Sequence, residues 1–143
     1  MKKMKKTTTL YFLLIIVLML CNTGFAQTGS DKIVGLYWSP KKDAKIEIYK
    51  KGNKYFGKSV WVETPKKDIE NPDKLLRQRD LLGVNLLTNF SFNEGVYAGG
   101  EIYDPANGKT YSCKISFTGK DLKVRGFIGI SLFGRTEIFE RIL

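Results

Sequence analysis

Histidine is absent from all 143 residues. That absence excludes the Ser-His-Asp and Cys-His arrangements of nucleophilic enzymes and every histidine metal site. Cysteine is almost as scarce. Cys21 and Cys113 are the whole complement, and Cys21 lies in an N-terminal apolar stretch, so Cys113 has no disulfide partner in the remainder. It sits between Ser112 and Lys114 on an alternating stretch, the place of a small buried side chain, without the activating neighbour that a reactive thiol needs. The carboxylates are not grouped at metal-ligand spacing, so no metal and no cofactor is expected. No run of like charge reaches the about five or six residues of a nucleic-acid-binding arm. No apolar run reaches the about 18 residues of a membrane-spanning helix. A recognisable catalytic constellation is therefore missing.

What is present begins with order. Lys2, Lys3, Lys5 and Lys6 precede an apolar run over residues 10–21, and Gly24-Phe25-Ala26 supplies small residues at the −3 and −1 positions. This is the pattern of a secretory signal peptide cut after Ala26, which leaves Gln27 as the new N-terminus of a periplasmic or secreted protein. Lipid attachment at Cys21 is the competing reading, and bulky Leu20 before the cysteine argues against it. Without its first 26 residues the chain is long enough for one domain, 27–143, with a modest core. Four of the 24 Lys and Arg leave with the signal, so 20 bases face 14 acids. The excess is spread as Lys41-Lys42, Lys50-Lys51, Lys66-Lys67 and single sites, which suits a solvated surface or weak attraction to an anionic envelope surface or ligand.

After Ser30 the hydropathy has period two almost everywhere. Strands are predicted at 33–38, 44–50, 54–62, 84–92, 95–103, 110–118, 122–130 and 135–142, separated by turns such as Lys51-Gly52-Asn53 and Asp104-Pro105-Ala106-Asn107-Gly108. In the third of these, Tyr55, Gly57, Ser59 and Trp61 alternate onto one face. Residues 63–80 are mostly charged with mixed sign, and a short helix or helical turn is predicted near 72–82. There Asn71 caps, Pro72 opens, Asp73 can pair with Arg77, and Gly83 lies just past the end. About eight short antiparallel strands predict an all-β domain: a closed meander barrel or a sandwich, with the single meander barrel preferred.

Several strings occur together in one order: Gly35…Trp38, Asp68…Asn71-Pro72, Asp104-Pro105…Gly108-Lys109-Thr110-Tyr111, Leu122-Lys123-Val124-Arg125-Gly126 and Ser131-Leu132-Phe133-Gly134-Arg135-Thr136. With them the chain resembles the bacterial family DUF2147 over about residues 31–142. The resemblance implies a small exported envelope protein and brings no established activity. Phe139 stands where that pattern leads one to expect a Trp near the final Arg. A looser similarity is to lipocalin-like (calycin) barrels, which place a Gly and a Trp on the first strand and an Arg on the last, lying across the Trp. Gly35, Trp38 and Arg141 fit those parts, with one residue more between Gly and Trp than usual. The similarity implies a structural cation–π clasp joining the two ends of the chain.

A barrel of about eight strands either fills its interior or holds one small ligand. Tyr and Trp bring polar tips that need partners when buried, and an inward guanidinium suits an acidic head group. Trp61, Arg79, Tyr103, Tyr111 and Arg125 are the candidate ligand-binding residues, with 63–82 lying across one mouth. Three readings of function stay open. The first is a binding module for a small amphipathic or acidic ligand. The second is a structural or interaction protein that meets an envelope protein through its basic surface and the 63–82 excursion. The third is a carboxylate hydrolase using Asp68 and Asp104. Asp104 also fits as a turn cap, and Gly99-Gly100 as a bend or bulge.

Overall fold

The alternating stretches become eight antiparallel strands that close into one barrel, each paired with its sequence neighbours and the last with the first. The strands are β1 Gly35–Trp38, β2 Ala44–Lys51, β3 Lys54–Val62, β4 Asn85–Asn93, β5 Val96–Asp104, β6 Lys109–Thr118, β7 Asp121–Phe127 and β8 Arg135–Arg141. The computed structural model describes residues 29–142. The signal segment 1–26, the cut after Ala26, Gln27 and the lipid reading at Cys21 all lie outside the described residues. No helix among the described residues is long and apolar enough to cross a membrane.

In a meander, alternate connections fall at opposite poles. Tight turns at 52–53, 94–95 and 119–120 make one pole, and the longer connections 39–43, 63–84, 105–108 and 128–134 make the other. The tight pole is closed by a 3-10 turn, Gly29–Ile33, whose Ile33 is fully buried. Three inward tyrosines tie that turn down. Tyr37 donates to the Ile33 carbonyl at 2.9 Å, Tyr55 to Asp31 Oδ1 at 2.6 Å, and Tyr97 to the Ser30 carbonyl at 2.7 Å. Sequence periodicity assigned Ile33 to the first strand and gave no hint of this closure.

The interior is filled by Tyr37, Ile46, Ile48, Tyr55, Leu87, Phe90, Tyr97, Cys113, Ile115, Leu122, Val124 and Phe139, one contiguous core. Burying each large apolar side chain stabilises by about 1.5–3 kcal/mol. The inward glycines make room for neighbours, not for a void. Leu87 lies over Gly57, and Phe90 lies against Gly100, where a Cβ would stand 2.5 Å from the Thr88 carbonyl oxygen. Gly99 takes φ +71 at a register shift between Tyr97 and Gly100, the bulge that the glycine pair suggested.

Two predicted elements change. β7 ends at Phe127 and not at 130, because Gly129 turns to φ +74 and a 3-10 turn, Ser131–Phe133, follows. The helix near 72–82 is a single 3-10 turn, Lys74–Leu76, capped by Asp73 and not by Asn71. Asp73 uses its carboxylate on the Leu75 N–H at 2.9 Å, and Arg77 donates to the Asn71 carbonyl at 2.8 Å, so the two are engaged elsewhere.

Candidate functional site

The five candidate ligand residues do not converge. Trp61 is turned outward by a bulge: Lys45 faces Trp61 while Ile46 faces Ser59, so Val60 is the extra residue and everything after it changes face. Ser59 stays inward and donates to the Leu81 carbonyl. Trp61 packs edge-on against Trp38 outside the barrel, ring centroids 5.7 Å apart, with Lys45 Nζ 4.8 Å from the Trp38 ring and 5.3 Å from that of Trp61.

Arg79 and Tyr103 do meet, but around Asp68 and not over a space. Asp68 is fully buried. Its Oδ1 accepts from Tyr103 Oη at 2.5 Å, and its Oδ2 accepts from Asn71 Nδ2 at 2.8 Å, Arg79 Nε at 2.8 Å and Arg79 Nη2 at 2.7 Å. Burial alone would raise the Asp68 pKa, yet the hydrogen bonds from Tyr103, Asn71 and Arg79 hold it below the usual carboxylate value. The Tyr103 hydroxyl is pushed up to about 12, first by burial and then by Asp68. This latch fastens the excursion to the rim at β5. The Glu70 carbonyl oxygen would lie 1.8 Å from a Cβ at Gly108, so the excursion rests directly on the β5–β6 turn. Sequence reading suspected Asp68 of chemistry; its oxygens are occupied by the chain's own donors.

Arg125 points outward, paired with Lys114 and Thr136 across its neighbours. It gathers the 128–134 connection, donating from Nε to the Ser131 carbonyl at 2.7 Å, from Nη2 to the Leu132 carbonyl at 3.1 Å, and from Nη1 to Thr136 Oγ1 at 2.8 Å. Only Tyr111 shares the inward face, two residues before buried Cys113, and its hydroxyl bonds Asn107 Nδ2 at 3.0 Å near the mouth. Asp104 caps its turn, accepting from the Ala106 N–H at 2.9 Å. Burial pushes the Cys113 thiol up to about 12, far from a reactive thiolate.

The clasp exists with a different aromatic partner. β1 and β8 pair Tyr37 with Arg141 and Trp38 with Glu140. Arg141 therefore shares a face with Tyr37, while Trp38 is one residue out of phase and faces outward. The guanidinium carbon sits 5.2 Å from the Tyr37 ring centroid, with bonds to Tyr37 Oη at 2.7 Å, the Lys32 carbonyl at 2.9 Å and the Val34 carbonyl at 2.9 Å. Gly35 pairs with Ile48. It also lines a shallow outer groove of about 410 Å³ with Val34, Leu36, Glu47, Tyr49 and Val60.

What the open pole offers instead is apolar surface. Ile128 is 73% exposed, Leu132 74% and Phe133 78% on one connection, and Leu75 is 89% exposed on the other. Ile130 on the first connection and Ile69 and Leu82 on the second are exposed as well. At the start of β8, Arg135 and Glu137 lie on the inward face, opposite Gly126 and Val124, and pair at 2.5 Å. The signal for this surface was in the sequence: Ile128, Ile130 and Leu132 continue the alternation of β7 across Gly129, and Phe133, next to Leu132, breaks it. Among the described residues no group of metal-ligating side chains comes together.

A family model for an uncharacterised protein conserved in bacteria, DUF2147, matches residues 35–141, the whole barrel from β1 to β8. The chain belongs to this family. Among solved structures, the DUF2147 barrel is similar to protein HP1028 from Helicobacter pylori, described as belonging to the lipocalin family. The TM-score is 0.70 at 23% identity, over 78% of this chain and 83% of that one, a likeness of fold. No curated protein matches. The eight-stranded lipocalin-like barrel thus has both resemblances read from the residues, and the Arg that ties its ends.

Proposed function

We propose that this DUF2147 protein is exported to the cell envelope and acts there as a binding module, holding the apolar part of a small amphipathic molecule at the open pole of its barrel. The observation that carries this is the gathering of exposed apolar side chains on 63–84 and 128–134 at one pole, when an ordinary monomer scatters them singly. Barrels of this size and fold hold one small ligand at most. The filled interior of this one keeps the ligand at the mouth, above Ile102 and Tyr111. Arg135, whose one ion pair among the described residues is with Glu137, is the cation that an acidic head group would reach by displacing that carboxylate. Asp68 and Asp104 serve the latch and the turn, which leaves the hydrolase reading without its two carboxylates.

The test is titration calorimetry with dodecanoate, an acyl chain with an acidic head. Binding should weaken at least about tenfold, about 1.4 kcal/mol, when Leu132 and Phe133 are both changed to Ser, and less when Arg135→Gln removes the head-group partner. Undetectable binding, or binding indifferent to Leu132 and Phe133, overturns the reading. A second reading is favoured by one observation: Arg79 and Arg125 are both engaged within the chain. The same apolar connections would then meet an envelope protein, and photocrosslinking from position 133 would capture one protein in place of a small molecule.

A further inference from the structure

The outer wall of the barrel is not uniform. By pairing register, the outward residues of β1, β2 and β3 fall in rows across the strands. Trp38, Lys45 and Trp61 make the first row, Leu36, Glu47 and Lys58 the second, and Tyr49 and Phe56 the third. Four aromatic rings stand on these three strands, whereas by the same alternation the outer wall of β6–β8 carries one, Phe127. In the first row the two indoles close on Lys45. In the third, Tyr49 stacks on Phe56 with centroids 5.7 Å apart, and its hydroxyl donates to Asn85 Oδ1 at 2.9 Å. Four residues of β2 separate the two aromatic rows, about 14 Å. Between them runs the groove of about 410 Å³, which Leu36, Glu47 and Val60 line. Lys58 reaches Glu47 there at 3.1 Å. The bulge on β3 completes this wall, since the extra residue is what brings Val60 and Trp61 to it together.

We propose that this groove binds a linear glycan, laid along the wall from the tryptophan row to the tyrosine row. A pyranose ring has two kinds of surface, and the wall has a counterpart for each. Its axial C–H bonds carry slight positive charge and pack on the negative face of an aromatic ring. Its vicinal hydroxyls both donate and accept, so one can donate to Glu47 while its neighbour accepts from Lys58. Glu47 and Lys58 cancel in charge, and Lys45 is engaged by the indoles, which suits a neutral chain. An acyl chain would strip water from the Glu47–Lys58 pair and return no hydrogen bond. A second copy of the protein needs about 800 Å² on each side, and this wall spans only about 10 Å by 14 Å between its rings. A bilayer needs rings that protrude, whereas Trp61 is 39% exposed and the other three are half-buried along the sheet. The site is separate from the apolar rim at the open pole and stands without it.

Trp38 and Trp61 are the chain's two tryptophans, so their emission and indole N–H resonances report on this wall alone. The experiment titrates the protein, as recovered from the cells that make it, with chitotetraose. This is a soluble linear chain of N-acetylglucosamine, whose acetamido methyls suit Leu36 and Val60. Emission should move to shorter wavelength, and both indole resonances should shift. Affinity read by calorimetry should fall at least about tenfold in Trp61→Ala. It should fall about tenfold in Glu47→Leu, which removes the charged acceptor and keeps an apolar groove. Ile138→Ser, at the same 39% exposure on the outer face of β8, should bind as the parent does. Far-ultraviolet circular dichroism checks that each variant keeps the barrel. No binding up to about 10 mM sugar, binding that leaves both indole resonances in place, or equal losses in all three variants overturns the proposal. So does dodecanoate shifting the indole resonances where the sugar does not, or a dimer that Trp61→Ala dissociates, since each puts another occupant on the wall.

Discussion

Arg141→Ala should destabilise the barrel by about 3.5–4 kcal/mol without touching either tryptophan. The barrel closes where β1 meets β8, and that seam has two residue pairs, fewer than any other. Arg141 reinforces it from the side chain. Its bonds to Tyr37 Oη and the Val34 carbonyl are partly buried, and a hydrogen bond from a charged donor in such a place is worth about 1.5 kcal/mol. The bond to the Lys32 carbonyl is solvent-exposed and counts for little. Stacking on Tyr37 adds about 0.5–1 kcal/mol. Tyr37 keeps its donation to the Ile33 carbonyl in the variant, so its hydroxyl is not orphaned. The sum is a large share of the about 5–15 kcal/mol of an ordinary domain.

Urea unfolding followed by far-ultraviolet circular dichroism measures that loss, and at about 4 °C per kcal/mol the melting midpoint should fall by about 14–16 °C. Native tryptophan emission is the second reading. Trp38 and Trp61 lie outside with Lys45, so the emission of folded protein should not move. Arg141→Lys keeps the charge and loses the planar fork, and should recover less than half of the stability. A loss below about 1 kcal/mol, or a shift in native emission in Arg141→Ala, would refute the assignment of Tyr37 as the stacking partner.

Three further outcomes follow from the same contacts. Tyr103→Phe removes the donor to a buried carboxylate oxygen of Asp68 and should cost about 2 kcal/mol, with faster amide exchange over 66–82 and unchanged exchange in β6 and β7. Gly100→Ala places a Cβ against the Thr88 carbonyl and the Phe90 ring and should cost about 3 kcal/mol, whereas Gly99→Ala, in open space at φ +71, should cost only about 1 kcal/mol; comparison of urea midpoints separates them. Burial raises the Tyr97 hydroxyl from 10.0 to about 12, so its contribution is fully present below pH 10 and is lost as pH rises toward 12. That loss is about 3 kcal/mol when complete, and Tyr97→Phe should flatten the alkaline limb of a circular dichroism titration.

Strand number, order and most boundaries were legible because a half-buried sheet writes its two faces into the sequence at period two. Legibility stopped where one residue breaks that count. Val60 is extra on β3, and Trp61, read as inward by strict alternation with Tyr55, Gly57 and Ser59, comes out on the surface. Arg141 and Trp38 are partners by the similarity to lipocalin-like barrels, which lay an Arg of the last strand across a Trp of the first, but pairing register, which periodicity within one strand cannot supply, set Arg141 opposite Tyr37. The tyrosine hydroxyls posed a sound question, since buried polar tips need acceptors. The acceptors are Asp31 Oδ1 and the backbone carbonyls of Ser30 and Ile33, in a closing turn that carries no periodic signature of its own.

The arginines show how candidate ligand residues come to be engaged within the chain itself. A guanidinium suits any array of oxygens in its fork, and carbonyl oxygens of a long connection are such an array as much as a ligand head group is. Arg79 holds the excursion through Asp68, Arg125 holds 128–134 through the Ser131 and Leu132 carbonyls, and Arg141 holds the N-terminal turn through those of Lys32 and Val34. Arg125 and Arg141 thus fix their segments to the sheet directly, whereas Arg79 braces the excursion from within and Tyr103 of β5 supplies its bond to the sheet. The consequence for binding is direct. Leu75, Ile128, Leu132 and Phe133 are exposed on connections that are tied down, so an apolar partner need not supply the ordering entropy of a loose loop when it covers them. An arginine turned toward the ligand would have given charge; turned toward the loops, it gives a pre-set apolar rim.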